Sequence, residues 1–259
     1  MAVALRSKNE IELIRAAGKV VARVLARMRD EAVEGVSTGE LARLSDEIIE
    51  EAGGIPLFKG VKNPQAKFDF PASICASVNE EVVHGLPGER TLVDGDIISI
   101  DCGVKLDGYC GDSATTIIVG GVPETTKKLL QVTEEVLNMA IENAKAGCKW
   151  SDVARLMQSH AEKAGFGVVR EYVGHGIGRK MHEDPKVPNF VSDELLQRDL
   201  ILRKGMVLAV EPILNMGTHE TRVLTDGWTV VTADSKPAAH YEHTIAITDN
   251  GAEVLTYPD

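Results

Sequence analysis

Apolar residues recur at helical spacing twice in the first fifth of the chain. Ile11, Ile14, Val21, Leu25 and Met28 share one helix face, and Ser7-x-x-Glu10 ahead of them has the form of a capping box. A second box, Ser37 to Glu40, opens a shorter helix with Leu41, Leu44 and Ile48 that stops at Gly53-Gly54. The plan then repeats. Helical spacing predicts an element from about Glu124 to Ala146, closed by Gly147. Ser151 is expected to cap a shorter helix with Val153, Leu156 and Met157, ending at Gly165.

Each helix pair is followed by β-rich sequence. The first half carries Ile97–Asp101 and Ala114–Val119, and the second Met206–Glu211, Trp228–Thr232 and Glu242–Thr248. Short words recur in the same order. Ala-Arg-Leu and Ala-Gly return at an offset of 112 residues, and Gly95–Asp101 resembles Gly205–Glu211 at an offset of 110, with an acid closing each. The pattern predicts an α+β fold of two similar halves, about 7–121 and 122–259, inside one domain spanning 1–259, with a site where they meet. Gly120-Gly121-Val122-Pro123 is only a turn-sized break, so no linker is expected.

Composition narrows the class. Hydrophobic residues at 44% and charged residues at 26% suit a globular domain rather than a disordered one. The net charge of −11 repels phosphate backbones and argues against bulk nucleic-acid or anionic-membrane binding. No run approaches the roughly 20 apolar residues of a membrane span, and the N-terminus lacks the form of a signal peptide. Cys75, Cys102, Cys110 and Cys148 make no CxxC pair, which suits free thiols in a reducing cytosol.

The acids change the picture most. Asp107-Gly108 between two extended runs signals a hairpin. With a two-residue loop Asp112 pairs with Gly103, and with a four-residue loop it faces Asp101. Either way Asp101 and Asp112 share a face, whereas a three-residue loop would break the parity. Two carboxylates held close in a dry place need a positive charge between them, and a divalent cation meets that need. Glu211, after Val-Leu-Ala-Val, and Glu242, opening the strand to Ile247, repeat the setting, with few basic residues nearby.

Histidine is the usual nitrogen partner. His175 lies in Gly-His-Gly-Ile-Gly, His182 follows seven residues later, and His84 sits in Val-Val-His-Gly. His-Glu-x-x-His, the inverted His-x-x-Glu-His, Gly-x-Ser-x-Gly and the dinucleotide fingerprint are all absent. An oxygen-rich ligand set suits manganese, iron or cobalt at least as well as zinc.

Taken jointly, Asp101 and Asp112 eleven apart, Gly-His175-Gly-Ile-Gly, His182, Glu211-Pro212 and Tyr-Glu242-His-Thr resemble the type I methionine aminopeptidases, from the first helix to the last strand. Asn79–Gly85, Val-Arg170-Glu-Tyr and Asp226-Gly-Trp228-Thr-Val add to the likeness. The resemblance implies the pita-bread fold, two pseudo-symmetric halves of antiparallel sheet covered by helices around a dinuclear metal centre. It assigns Asp101 to one metal, Asp112 and Glu242 as bridges, and His175 and Glu211 to the other metal. A water or hydroxide between the ions is expected to attack the carbonyl of an N-terminal methionine. Glu211 is expected to accept the proton, His84 to bond the scissile amide and assist the leaving nitrogen, and His182 to stabilise the carbonyl oxygen. Phe70, Cys75 and Trp228 fall where the family places its methionine pocket. Such an enzyme takes nascent chains and peptides with a free N-terminal methionine and a small second residue. A transient ribosome contact is compatible with that activity, and a monomer is the default.

Three positions depart from the family pattern. Segment 61–69 is longer than the corresponding pocket loop, so an aromatic near Val61 has no secure counterpart. Met181 stands where some relatives have phenylalanine, and His240 where glutamine is common. A proline-specific peptidase of the same fold would usually carry a large N-terminal domain, for which no room is expected ahead of the first helix. A non-catalytic protein of the fold would have replaced ligands, and all five are present.

Overall fold

The computed structural model describes residues 3–258. The first half runs α1 (Lys8–Glu31), α2 (Thr38–Glu51), β1 (Ile55–Pro56), β2 (Ile74–Val78), β3 (Glu81–Val83), β4 (Ile97–Leu106) and β5 (Tyr109–Ile118). The second begins with α3 (Glu124–Asn143), α4 (Trp150–Ala164), β6 (Gly167–Val168), β7 (Gly174–Gly176), β8 (Glu183–Val187) and α5 (Asp193–Gln197). It continues with β9 (Val207–Val210), β10 (Ile213–Asn215), β11 (Thr221–Val223), β12 (Val230–Thr232), β13 (Ala238–His240), β14 (Glu242–Thr248) and β15 (Gly251–Val254).

Both halves of the first capping box form: the Ser7 side chain accepts the Glu10 N–H, and the Glu10 carboxylate accepts the Ser7 N–H at 2.9 Å. Ser37 caps α2 by accepting from Glu40 at 3.1 Å. Two expectations need correction. Helix α3 ends at Asn143 rather than near Ala146, because Ala144 leaves helical geometry with ψ 87°. Ser151 is not the cap of α4. The N-cap is Lys149, and Ser151 lies inside the first turn. Asp199, from far along the chain, accepts the Ser151 N–H at 3.1 Å and takes its hydroxyl as well, so a distant carboxylate satisfies the helix start.

The repeat is present in the backbone. Gly35 N–H bonds Leu92 O and Gly147 N–H bonds Leu202 O; Leu92 N–H bonds Val36 O and Leu202 N–H bonds Cys148 O; Thr38 N–H bonds Arg90 O and Trp150 N–H bonds Leu200 O. Each pair keeps the sequence offsets of 112 and 110. Each half also packs its own core. One gathers Val21, Leu25, Leu41, Ile49, Ile98 and Ile100, the other Leu129, Val136, Trp150, Met157, Leu208 and Ile245.

Among the described residues nine strands (β1, β2, β4, β5, β14, β15, β9, β7 and β8) form one antiparallel sheet. Its halves join at β5 and β14, where Glu242 pairs with Ala114 and His243 with Ser113. Helix α1 packs on β4 and β5 so closely that a Cβ on Gly111 would sit 2.5 Å from the Gly18 nitrogen. Only glycine permits that approach.

Candidate metal centre

The β4–β5 hairpin turns through Asp107 (φ 48°) and Gly108 (φ 83°), a two-residue loop in left-handed geometry. Asp112 therefore pairs with Gly103, and Asp101 with Ala114. The two carboxylates share a face, two positions apart. A Cβ on Gly103 would lie 3.4 Å from Asp112 Oδ1, so the absent side chain leaves room for that carboxylate.

The second half brings the rest. Asp112 N–H donates to Thr244 Oγ1 at 3.1 Å, and the Thr244 hydroxyl donates back to Asp112 O at 2.8 Å. This doubled contact across the seam fixes Asp112 beside Glu242, two residues before Thr244 on the same strand face. His175 pairs with Ala209 in β9, and Glu211 follows that strand, its carbonyl held by Asn189 Nδ2 at 2.9 Å.

His175 Nδ1 lies 2.9 Å from Gly176 O. A proton there leaves the Nε2 lone pair free for a metal. Nε2 is 3.8 Å from Asp112 Oδ2 and 3.8 Å from Glu211 Oε1. One ligand atom each of Asp112, His175 and Glu242 falls within 4.8 Å of the others, and all three residues are buried.

The electrostatics fit a cation. Asp101 Oδ1, Asp112 Oδ1 and Glu242 Oε1 are buried without a hydrogen-bond partner. Burial pushes Asp101 up to about 7. Burial and then the Asp101 charge push Glu211 up to about 8. Asp112 is raised well above the carboxylate range by burial, then by Asp101 and Glu211. Glu242 is raised likewise, by burial and then by Asp112, Asp101 and Glu211. Four acids that cannot all ionise in a dry site, beside a histidine with a free lone pair, form a donor set that divalent ions would neutralise.

The other two candidate histidines stand at the cleft. His182 lies with its ring 4.4 Å from that of His175. His84 sits at φ 59°, its ring edge-on to Tyr172 at 5.4 Å. Both line a cleft of ≈ 780 Å³ together with His175, Glu211 and Tyr172. Burial, and then His182, lower His84 to about 4, so it is neutral at pH 7.

Phe70, Cys75 and Trp228 are all buried in the first-half core. Phe70 meets Trp228 edge-on at 5.2 Å, and Phe58, which sequence reasoning passed over, meets Phe70 at 6.4 Å. Cys75 pairs with Asp101 across β2 and β4. Loop 61–69 is pinned to the turn before Trp228: Asn63 Nδ2 donates to Gly227 O at 2.7 Å, and Trp228 Nε1 to Phe68 O at 3.0 Å. Val61 and Phe68 are 43% and 46% exposed, so neither adds to the buried aromatic cluster. Met181 packs at the edge of that core. His240 is buried, its Nε2 4.0 Å from Glu242 Oε2 and without a hydrogen-bond partner. Tyr172 and Thr244 fall inside motifs that carry the family resemblance but receive no role from the sequence, although strand alternation places Thr244 on the Glu242 face; Asn189 carries no signal at all.

The model of metallopeptidase family M24 matches residues 12–249. The chain is 48% identical to a methionine aminopeptidase of Clostridium perfringens over 98% of each chain. It is 47% identical to methionine aminopeptidase 1 of Bacillus subtilis over 97% of this chain and 98% of that one. The crystal structure of the Thermotoga maritima methionine aminopeptidase superposes with a TM-score of 0.93 at 43% identity, covering 99% and 100% of the two chains. The prolidase of Pyrococcus furiosus, at 22% identity and a TM-score of 0.75 over 98% of this chain and 66% of that one, shares the fold alone.

Fold and site thus define a metallopeptidase of the pita-bread class. Within it, the chain belongs to the type I methionine aminopeptidases. Among the described residues no helix is long and apolar enough to cross a membrane.

Proposed function

We propose that this chain, acting as one catalytic domain, removes the N-terminal methionine from nascent proteins and peptides whose second residue is small. The observation that carries the reading is the set of buried carboxylate oxygens without partners on Asp101, Asp112 and Glu242, the last two grouped with His175. Asp101, Asp112, His175, Glu211 and Glu242 would hold two divalent ions (manganese, iron, cobalt or zinc), which when bound supply an acidified water and polarise the substrate carbonyl.

The chain's own groups do the rest. Glu211, at the cleft wall beside His175, accepts the proton released as the carbonyl is attacked. His84, at the cleft wall, bonds the scissile amide and assists the departing nitrogen. His182 donates to the carbonyl oxygen as charge develops there. Phe70, Cys75 and Trp228 take the thioether side chain, whose flexibility and polarisability suit an aromatic and sulfur-bearing wall. The same reading places the protein in the cytoplasm as a monomer, meeting nascent chains as they leave the ribosome.

The test is methionine release from Met-Ala-Ser and Met-Leu-Ser, after chelation and again after adding manganese or cobalt. Metal-dependent cleavage of the first peptide and not the second is expected. No release with any metal, from protein shown to be folded, sinks the reading and favours a non-catalytic role for the fold.

A further inference from the structure

The segment ahead of α1 contacts the cleft at a place the chemistry above does not use. Arg6 N–H bonds Gly205 O at 2.6 Å, and the Arg6 guanidinium is paired with Glu183. Its side chain is only 9% exposed. Glu183 follows His182 directly and pairs with Gly176 across β7 and β8, so it sits at the closing end of the His175–His182 loop. Its other oxygen accepts the Lys180 N–H at 3.0 Å. One carboxylate thus ties the loop's inner turn to a cation from the other half of the molecule.

The surroundings are built for that cation. A Cβ on Gly178 would overlap the Arg6 guanidinium, so the glycine inside the loop gives Arg6 its seat. Gly178 O accepts the Cys110 N–H at 2.7 Å, and the Arg179 guanidinium lies 4.7 Å from the Tyr109 ring centre. Tyr109 donates to Glu10 at 3.0 Å, and Glu10 lies 3.8 Å from Arg6. The loop that presents His182 is therefore held by first-half residues rather than by its own strands alone.

We infer that Arg6 is a positioning residue for His182, acting through the Glu183 carboxylate and the Gly178 seat. The inference rests on the proposed role of His182 at the substrate carbonyl. A misplaced donor costs turnover more than substrate affinity, because its contact matters most in the transition state. Removing Arg6 leaves the Glu183 carboxylate part-buried with one partner fewer and frees the loop to shift.

The test is a double-mutant cycle with manganese-loaded protein and Met-Ala-Ser, alongside imidazole NMR of the zinc-loaded protein. Arg6→Ala is expected to lower kcat by about 10- to 100-fold with KM changed less than threefold, and to shift the His182 ring resonances. Arg6→Ala combined with His182→Ala should be no slower than His182→Ala alone. Glu183→Gln, which keeps the side-chain length but offers one acceptor oxygen where Arg6 and Lys180 use two, should recover only part of the turnover lost in Glu183→Ala. Full additivity of the two alanine variants, or unshifted His182 resonances, overturns the inference. If His182→Ala itself retains full turnover, the carbonyl role of His182 fails instead. The clamp is then judged by the resonances alone. Thermal melting of each variant shows that the fold is retained.

Discussion

His175 Nε2 lies 3.8 Å from Asp112 Oδ2, although the first belongs to β7 in the second half and the second to β5 in the first. The contact exists because β5 and β14 join the two halves into one sheet, with Thr244 holding Asp112 by both its N–H and its carbonyl. The site is thus a property of the junction, and each half alone carries an incomplete ligand set.

Asp112→Asn separates the two roles of that carboxylate. Asp112 is 2% exposed and its charge is opposed by Asp101 and Glu211. In chelated protein at pH 8 the variant should be more stable than the wild type by about 1–3 kcal/mol, since Asp112 holds a proton in the fold that the unfolded chain gives up at this pH, a cost the neutral amide does not carry. Manganese should no longer raise its stability, and methionine release should be lost. Urea unfolding with and without metal measures the first two. A chelated variant less stable than chelated wild type would contradict the held-proton account.

His84→Ala and His182→Ala should each retain folding and metal binding while losing about 10²–10³ in turnover, the usual cost of removing one donor to developing charge. His84 is neutral at pH 7 because burial lowers it to about 4. Its contribution should therefore be flat between pH 6 and 8. Single-turnover rates across that range check this, and a rate loss that varies with pH over the window would count against a neutral donor.

Much of this arrangement was legible in the chain. Asp107-Gly108 gave the hairpin, and period-two alternation then placed Asp101 and Asp112 on one face without any tertiary information. The offsets of 112 and 110 reappear as duplicated backbone bonds, such as Gly35 to Leu92 and Gly147 to Leu202. What could not be read has a common cause, which is contact between residues far apart in sequence. Asp199 satisfies the start of α4 from 48 positions beyond Ser151, a partner no local pattern signals. Tyr172 reaches His84, and Arg6 reaches Glu183 across 177 positions. Packing of the two halves brings the last two pairs together, and packing within the second half the first.

Trp228→Phe tests how the loop over the proposed methionine pocket is held. The indole Nε1 donates to Phe68 O, and the ring stacks edge-on against Phe70. Phenylalanine keeps most of the apolar contact but leaves the Phe68 carbonyl without that donor, at a cost of about 0.5–1.5 kcal/mol. Because Asn63 is the other tie between loop and turn, segment 61–69 should loosen rather than unfold. KM for Met-Ala-Ser should rise severalfold while kcat stays within about twofold, since the proposed contact is to the bound side chain in ground and transition states alike. Faster amide exchange confined to residues 61–69 would accompany it. A fall in kcat at unchanged KM would place Trp228 in the chemistry instead.

The metal-free protein should lose stability as pH rises from 6.5 to 8, and metal should abolish the trend. Asp101 and Glu211 titrate near 7 and 8 in the fold without metal, against ordinary values near 4 in the unfolded chain. Between those limits the folded state binds more protons than the unfolded one. Stability supplied by these groups is therefore full below about pH 4 and lost as pH rises through 7–8. Histidines act in the opposite sense over a different window. Burial lowers His84, His175 and His243 to about 4 and His240 to about 3, so each costs stability as pH falls below 6.5, where the unfolded chain takes up the proton. The two effects oppose each other from pH 4 to 6.5. Above 6.5 only the carboxylates remain, with a slope approaching about 1.4 kcal/mol per pH unit for each one still holding its proton. Divalent ions replace those protons, so saturating manganese should flatten the slope and stabilise the protein most at pH 8. Urea midpoints of chelated and manganese-loaded protein at pH 6.5, 7.25 and 8 provide the comparison. A chelated protein whose stability rises across that range would mean that the four acids are not held together in the folded chain.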